Sequence, residues 1–349
     1  MRVIVADMYF HKKHKKLNLK LIREISTIAS ILLINKIGYY SQEDLSNYKC
    51  LNIFHYLPNK FDKLRNACIL LHLIILSITI RLKGIEYDKI LFLATNNICC
   101  NYALLLRLFK KNSIIVIHHY DIDRTIDSKK ETILFKKRMH QYNHIVFAPF
   151  IKEGMQKYLG TNEKYIHVVP HPLFVSENNV IPNTSREHLI IGIGRNNDIT
   201  FLQDLKKVDL KSDCKHKNFI KMRTNGESYL GINLEIFYAR DISQEQFDDI
   251  LYSAKACVVI YNDSYRYRYS GVIVDALSHG CIVICNDIPI GLYYKTICPN
   301  NCKVIKSAQE LYDLANIELP VFDEEEFYQY LAENSNAVIR EKLYDILYK

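Results

Sequence analysis

The stretch Tyr265-Arg266-Tyr267-Arg268-Tyr269-Ser270-Gly271-Val272-Ile273-Val274-Asp275-Ala276-Leu277-Ser278-His279-Gly280-Cys281-Ile282-Val283-Ile284-Cys285-Asn286-Asp287 decides how the chain is read. A polar, glycine-containing turn leads into a short helix over about Val272 to Ser278. Gly280 closes that helix as a C-cap, and Cys281 to Cys285 reads as a buried strand. A turn feeding a helix N-terminus offers backbone N–H groups and the positive end of the helix dipole to an anion. Arg266 and Arg268 stand just before it, spaced to close on a diphosphate. Asp275 lies one turn in, where a carboxylate can accept hydrogen bonds from sugar hydroxyls. The same stretch also reads as an ordinary loop–helix–strand unit of an α/β domain.

Outward from this unit, strands and helices alternate. Arg2 to Ala6, Leu51 to Phe54, Lys89 to Ala94, Ser113 to Ile117, His144 to Phe147 and Ile166 to Val169 read as strands. Leu17 to Ile34, Lys63 to Lys83 and Ile98 to Leu108 read as helices. This alternation predicts an α/β fold with a parallel, doubly wound sheet and ligands at the strand carboxyl ends. Pro170 and Pro172 stiffen the exit, and a hinge is expected between Pro170 and about Arg186. Beyond it, Leu189 to Arg195, Glu235 to Tyr238, Ala256 to Tyr261 and Lys303 to Ile305 read as strands. A helix starting at Ile242 carries a capping box, Ser243 with Gln246, and Ser307 caps another. Glu324 to Tyr348 reads as a helical tail.

Two strand ends carry titratable clusters. After Asp7 comes Tyr9-Phe10-His11-Lys12-Lys13-His14-Lys15-Lys16, either a solvated basic loop or a clamp for a phosphate-bearing acceptor or lipid head groups. After Ile117 comes His118-His119-Tyr120-Asp121. A neutral histidine there can donate to a substrate hydroxyl or act as a base, or the pair can simply be satisfied by backbone.

The 349 residues suit two domains, and 49% apolar content fills two cores. With 46 basic and 38 acidic residues the net charge is +8, mild for a nucleic-acid binder and suited to anionic substrates or membranes. Met1 to Asp7 reads as a strand opening rather than a secretory signal. The apolar run Ala67 to Ile80 is short of a membrane span; it reads as a buried domain helix, with a membrane-dipping helix as the alternative. The ten cysteines form no metal-binding pattern, since Cys281 with Cys285 and Cys298 with Cys302 are spaced too widely for a C-x2-C pair. A reducing cytoplasm is the expected compartment.

Asp275-Ala276-Leu277 with Gly280-Cys281-Ile282-Val283, and Gly194-Arg195 ending a buried strand, resemble the donor-binding segments of the retaining GT-B glycosyltransferases of bacterial polysaccharide and lipid-linked sugar synthesis. That family carries two glutamates separated by seven residues. Asp275 stands at the second and Tyr267 at the first, as in a divergent branch. The resemblance implies two Rossmann-like doubly wound domains facing a cleft. Residues 1–172 would bind acceptor, 187–320 would bind the nucleotide-sugar donor, and a tail over 321–349 would pack back on the first domain.

The resemblance also implies roles. Gly194 and Arg195 would grip the donor diphosphate with Arg266 or Arg268, and the Ser270, Gly271 and Val272 backbone would complete that grip. Asp275 would hold the ribose, Arg240 and Ile242 would flank the base, and Tyr267 would line the donor site. His119, or His118 as the alternative, would serve at the transfer centre beside Asp121, with Arg195 stabilising the leaving group. Asp7, Tyr9, His11, Lys12 and Lys13 would meet the acceptor. No metal or cofactor beyond the sugar nucleotide is implied, because the cations do that work. The implied activity is transfer of a hexose to a glycan, including one on a polyprenyl diphosphate, in lipopolysaccharide or capsule-like synthesis. Its implied setting is the cytoplasm, at the inner membrane face. A nucleotide-sugar epimerase and a non-catalytic partner subunit are the rival readings.

Overall fold

The computed structural model describes residues 1–9, 14–36, 38–54, 62–95, 97–110, 112–119, 121–173, 186–195, 197–262 and 265–349. The chain divides into two units. The first comprises Met1–Pro172, Tyr267–Tyr269 and Asn334–Lys349; the second comprises Leu173–Arg266 and Ser270–Glu333.

The first unit is built on β1 (Arg2–Asp7), β2 (Ser30–Lys36), β3 (Lys49–Phe54), β4 (Lys89–Ala94), β5 (Ile114–Ile117), β6 (Asn143–Val146) and β7 (Ile166–Val168), in the order β3-β2-β1-β4-β5-β6-β7. Every neighbouring pair is parallel. Its helices are α1 (Lys15–Ser26), α2 (Gln42–Leu45), α3 (Asp62–Leu82), α4 (Asn97–Leu105), α5 (Asp121–Asp127), α6 (Lys129–Arg138) and α7 (Pro149–Gly154). Val3, Ile4, Val5, Leu91, Leu93, Ile115 and Val116 are sealed inside, which is why these strands read as unbroken apolar runs.

The second unit is built on β8 (Glu187–Gly192), β9 (Phe219–Thr224), β10 (Tyr229–Leu230), β11 (Leu234–Tyr238), β12 (Ala254–Val259), β13 (Ile282–Asn286) and β14 (Cys302–Ile305). They lie in the order β10-β11-β9-β8-β12-β13-β14, parallel apart from the short β10–β11 pair. Helices α8 (Ile199–Asp209), α9 (Gln244–Ser253), α10 (Gly271–Ser278), α11 (Pro289–Ile297), α12 (Ala308–Asn316) and α13 (Glu324–Glu333) connect them. The last helix, α14 (Asn336–Tyr348), belongs to the first unit. There Arg340 pairs with Glu24 at 3.1 Å, and the Tyr348 hydroxyl donates to the Ile28 carbonyl at 2.8 Å. In both sheets the strand order reverses beside the first strand of the unit. That creates a switch point between β1 and β4 and another between β8 and β12, the places where α/β sheets receive ligands.

Three expectations change. The predicted helix Leu17 to Ile34 is a helix ending at Ser26 followed by strand β2. Its Ile31-Leu32-Leu33-Ile34 run is apolar at every position and fits either period. The tail is two helices rather than one, broken where Ser335 caps the second by accepting from the Val338 N–H. The helix around Ala67 to Ile80 is buried on one face only. Where the local chemistry was strong the reading holds: Ser243 and Gln246 form the reciprocal capping box, and Gly280 adopts φ 72° beyond α10.

Candidate active site

At the carboxyl edge of the first sheet, His118 is sealed between two partners. Its Nδ1 lies 2.8 Å from Asp121 Oδ2 and its Nε2 lies 2.9 Å from His144 Nδ1. His144 Nε2 is 2.6 Å from the Met139 carbonyl, an acceptor only, so that nitrogen carries the proton. His144 Nδ1 therefore accepts, and His118 Nε2–H donates to it. Complete burial and the neighbouring His118 push the His144 pKa down to about 3, so His144 stays neutral. His118 cannot reach a substrate; it orients Asp121. His119 is half-exposed, its Nε2 2.6 Å from the Leu93 carbonyl at the end of β4 and its ring 4.6 Å from that of His14. Of the two histidines expected at a transfer centre, His119 is the one a ligand can touch.

Asp7 closes β1, where the register against β4 slips by one residue. It is buried, accepting from Asn18 Nδ2 and from the Tyr9 N–H, each at 2.8 Å. Burial raises the Tyr39 and Tyr40 phenols, with Asp7 adding to the effect, so both remain protonated beside it. Asp7 thus anchors the start of the β1–α1 loop. His11, Lys12, Lys13 and Tyr120 lie outside the described residues.

Tyr267 and Arg268 make their contacts in the first unit. Asp123, fully buried on α5, accepts from the Tyr267 N–H at 2.9 Å and from Arg268 Nε at 3.1 Å. The Tyr267 ring lies so close over Gly154 that a Cβ there would sit 2.3 Å from it. Tyr269 stacks on His171 at 4.6 Å between centroids. Arg268 is therefore committed to a carboxylate, and Tyr267 to packing.

The second sheet's carboxyl edge is cationic. Arg195 is exposed just beyond β8. Arg223, at the end of β9, donates to the carbonyls of Ala239 and Arg240 at 2.9 and 2.8 Å, and burial together with nearby Arg195 lowers its pKa. The Arg240 side chain is exposed, while Ile242 and Arg266 are half-buried. Asn197 ties the edge together, donating through Nδ2 to the carbonyls of Gly192 and Arg223 at 2.9 and 3.1 Å. Its buried Oδ1 has no partner among the described residues and faces Gly194. Across the switch point, the Asp198 N–H donates to the Ile260 carbonyl beyond β12.

From β12 the chain runs to α10. Ser270 is buried and caps that helix, its hydroxyl accepting from the Ile273 N–H and paired at 2.7 Å with the Tyr261 hydroxyl. A ligand would meet the exposed Gly271, above which no atom lies within 4 Å of a Cβ position, with Val272 half-buried beside it. Asp275 is half-buried one turn further. Sequence reasoning missed Asp123, His144, Asn197 and Arg223. Among the described residues, no group of three His, Cys, Asp or Glu side chains is arranged to hold a metal ion. A separate open groove at the amino-terminal edge of the first sheet, about 670 Å³ and lined by residues such as Lys49 and Tyr87, contains none of the candidate residues.

No protein-family model and no curated protein sequence matches the chain. Solved structures do. A glycosyltransferase from Rickettsia africae ESF-5 superposes with a TM-score of 0.63 at 9% identity, covering 99% of this chain and 97% of that one. HepE from Anabaena, solved in complex with UDP-glucose, gives 0.64 at 10% identity over 99% of both chains. Sucrose-phosphate synthase from Thermosynechococcus elongatus gives 0.59 at 11% identity, over 99% and 94%. The likeness runs through both units, and the chain has the two-unit α/β fold of the GT-B glycosyltransferases.

Proposed function

We propose that this protein is a glycosyltransferase that moves a hexose from a nucleoside diphosphate to a glycan acceptor carried on a lipid diphosphate, in surface polysaccharide synthesis. The observation that carries the reading is the arginine-lined switch point of the second sheet, in a fold whose neighbours include a protein solved with UDP-glucose. Arg195, Arg240 and the exposed start of α10 at Gly271 would receive the diphosphate, and Asp275 the ribose. Arg223 is spent on holding the loop carbonyls of Ala239 and Arg240, which fixes the backbone where a base would lie. In this reading the guanidinium groups neutralise the leaving diphosphate, so that no metal is needed. His119 would face the acceptor hydroxyl, and Asp121 would be held in place by His118 and His144. Ten free thiols, seven of them buried, suit a reducing compartment such as the cytoplasm.

Titration calorimetry with UDP, GDP and their sugars tests this. Binding of one nucleoside diphosphate in the micromolar range, followed by slow hydrolysis of its sugar, is the expected result. A chain that binds none of them is a non-catalytic subunit, and the proposal fails. Tyr267 at the first glutamate position, packed on Gly154, favours that second reading.

A further inference from the structure

Helix α3 is apolar on two faces. Ile69, Leu73, Leu76 and Ile80 are buried in the first unit. At 3.6 residues per turn, Leu64, Ala67, Leu71, Ile75 and Ile78 fall on the opposite side, and these are all of the exposed residues between Leu64 and Ile78. A helix on the surface of a water-bathed domain turns charged residues outward, but none of the exposed residues from Leu64 to Ile78 is charged. Among the described residues it is the one helix long and apolar enough to cross a membrane, and only 28% of it is buried. The adjoining α4 extends the surface with exposed Tyr102, Leu105 and Leu106. The patch is thus two helices wide and about 27 Å long.

Its end is positively charged. Arg81, Lys83, Arg107 and Lys110 are exposed, and the Arg81 guanidinium donates to the Arg107 carbonyl at 3.2 Å, joining the two helix ends. Of the carboxylates that follow, Glu86 pairs with the Arg2 guanidinium and Asp88 accepts from the Arg2 backbone N–H. We propose that this face lies flat on an anionic lipid bilayer, with Leu71, Ile75 and Ile78 below the head groups and the four cations among the lipid phosphates. Spanning is excluded by the packed Ile69–Ile80 row and by Ser77, whose hydroxyl donates to the Leu108 carbonyl. A coiled-coil partner wants one narrow seam bordered by charges of both signs, whereas a broad apolar patch edged by cations complements a flat, negatively charged surface. The proposal deepens the reading of a lipid-linked acceptor, yet its test does not depend on sugar transfer.

The chain contains no tryptophan, so Ile75→Trp in the full-length protein installs a single reporter. Vesicles rich in phosphatidylglycerol should shift its emission to the blue and allow quenching by brominated acyl chains. Pure phosphatidylcholine should do neither, and added salt should reverse the effect. Combining Lys83→Glu and Arg107→Glu should weaken binding at least about tenfold with unchanged thermal unfolding. Leu230→Trp, exposed on the second unit, should report nothing. An emission that ignores anionic vesicles, responds equally to both lipids, or shifts at Leu230→Trp as well overturns the proposal. So does a shift that follows protein concentration without lipid, which would assign the face to a second copy of the chain.

Discussion

The two sheets share one winding pattern and end in opposite chemistry. At the first sheet's carboxyl edge, histidines and acids meet partners in buried or half-buried pairs: His118 with Asp121 and His144, Asp7 with Asn18, Asp123 with Arg268. At the second sheet's edge, arginines stand near one another and a helix start lies open, positive charge without a buried acid among the described contacts to balance it. A settled proton network orients side chains, and an unbalanced cationic rim waits for an anion. The same scaffold thus ends in a closed hydrogen-bonded network in one unit and in an open cationic rim in the other.

Acid separates the two units most strongly. His144 and His171 are both buried in the first unit with pKa values lowered to about 3, mainly by desolvation. A histidine lowered in the folded state takes up protons preferentially when unfolded. Its contribution is complete above the unfolded value near 6.5 and is lost as pH falls toward 3. At pH 5 each should cost about 2 kcal/mol, so urea unfolding at pH 7.5 and 5 should show the first unit losing about 4 kcal/mol. His144→Gln, which cannot titrate, should remove about half of that slope. Equal acid sensitivity in both units would erase the distinction.

The next largest effect concerns Asp123. Removing one partner of a buried ion pair strands the other, so Asp123→Ala should destabilise the first unit by about 3 kcal/mol. Asp123→Asn, which can still accept from the Tyr267 N–H, should lose less. A loss below about 1 kcal/mol in urea titration would mean that Arg268 is merely a solvated surface charge. On the cationic rim the prediction reverses. Arg195 is exposed, so Arg195→Ala should leave stability unchanged while weakening nucleoside diphosphate binding about 30-fold, or about 2 kcal/mol, by calorimetry. Unchanged affinity would move the anion site elsewhere.

How much of this was legible in the sequence follows from the range of the interactions. Capping boxes, the Gly280 turn and most of the buried parallel strands are written within a few residues and are legible there. Strand β2 is not legible as a strand, because a run apolar at every position carries no period. β9, and Arg223 with it, is hidden because Lys221-Met222-Arg223-Thr224 looks like a polar loop until its neighbours bury it. Asp123 meets Tyr267 across 144 residues, and His118 meets His144 across 26. No local pattern announces such partners. The sequence offers Arg266 and Arg268 alike to a diphosphate, because the carboxylate that holds Arg268 lies 145 residues away.

Two glycines give the smallest and sharpest contrast. Gly154 lies beneath the Tyr267 ring, and an added Cβ would sit 2.3 Å from a ring carbon, so Gly154→Ala must displace the segment Tyr267–Tyr269. That overpacking should cost about 1 to 2 kcal/mol in thermal or urea unfolding. Gly271, at the first turn of α10, has no atom within 4 Å of the same position, and its φ lies outside the left-handed region. Gly271→Ala should therefore stabilise slightly, by roughly 0.5 kcal/mol, through reduced freedom of the unfolded chain. If the open space above Gly271 is where a phosphate approaches the backbone, the same methyl should weaken nucleoside diphosphate binding while stability rises. Opposite movement of stability and affinity at Gly271, against loss of stability at Gly154, is what a closed polar network and an open anion site require. Parallel losses at both positions would reduce the two edges to one kind of packing.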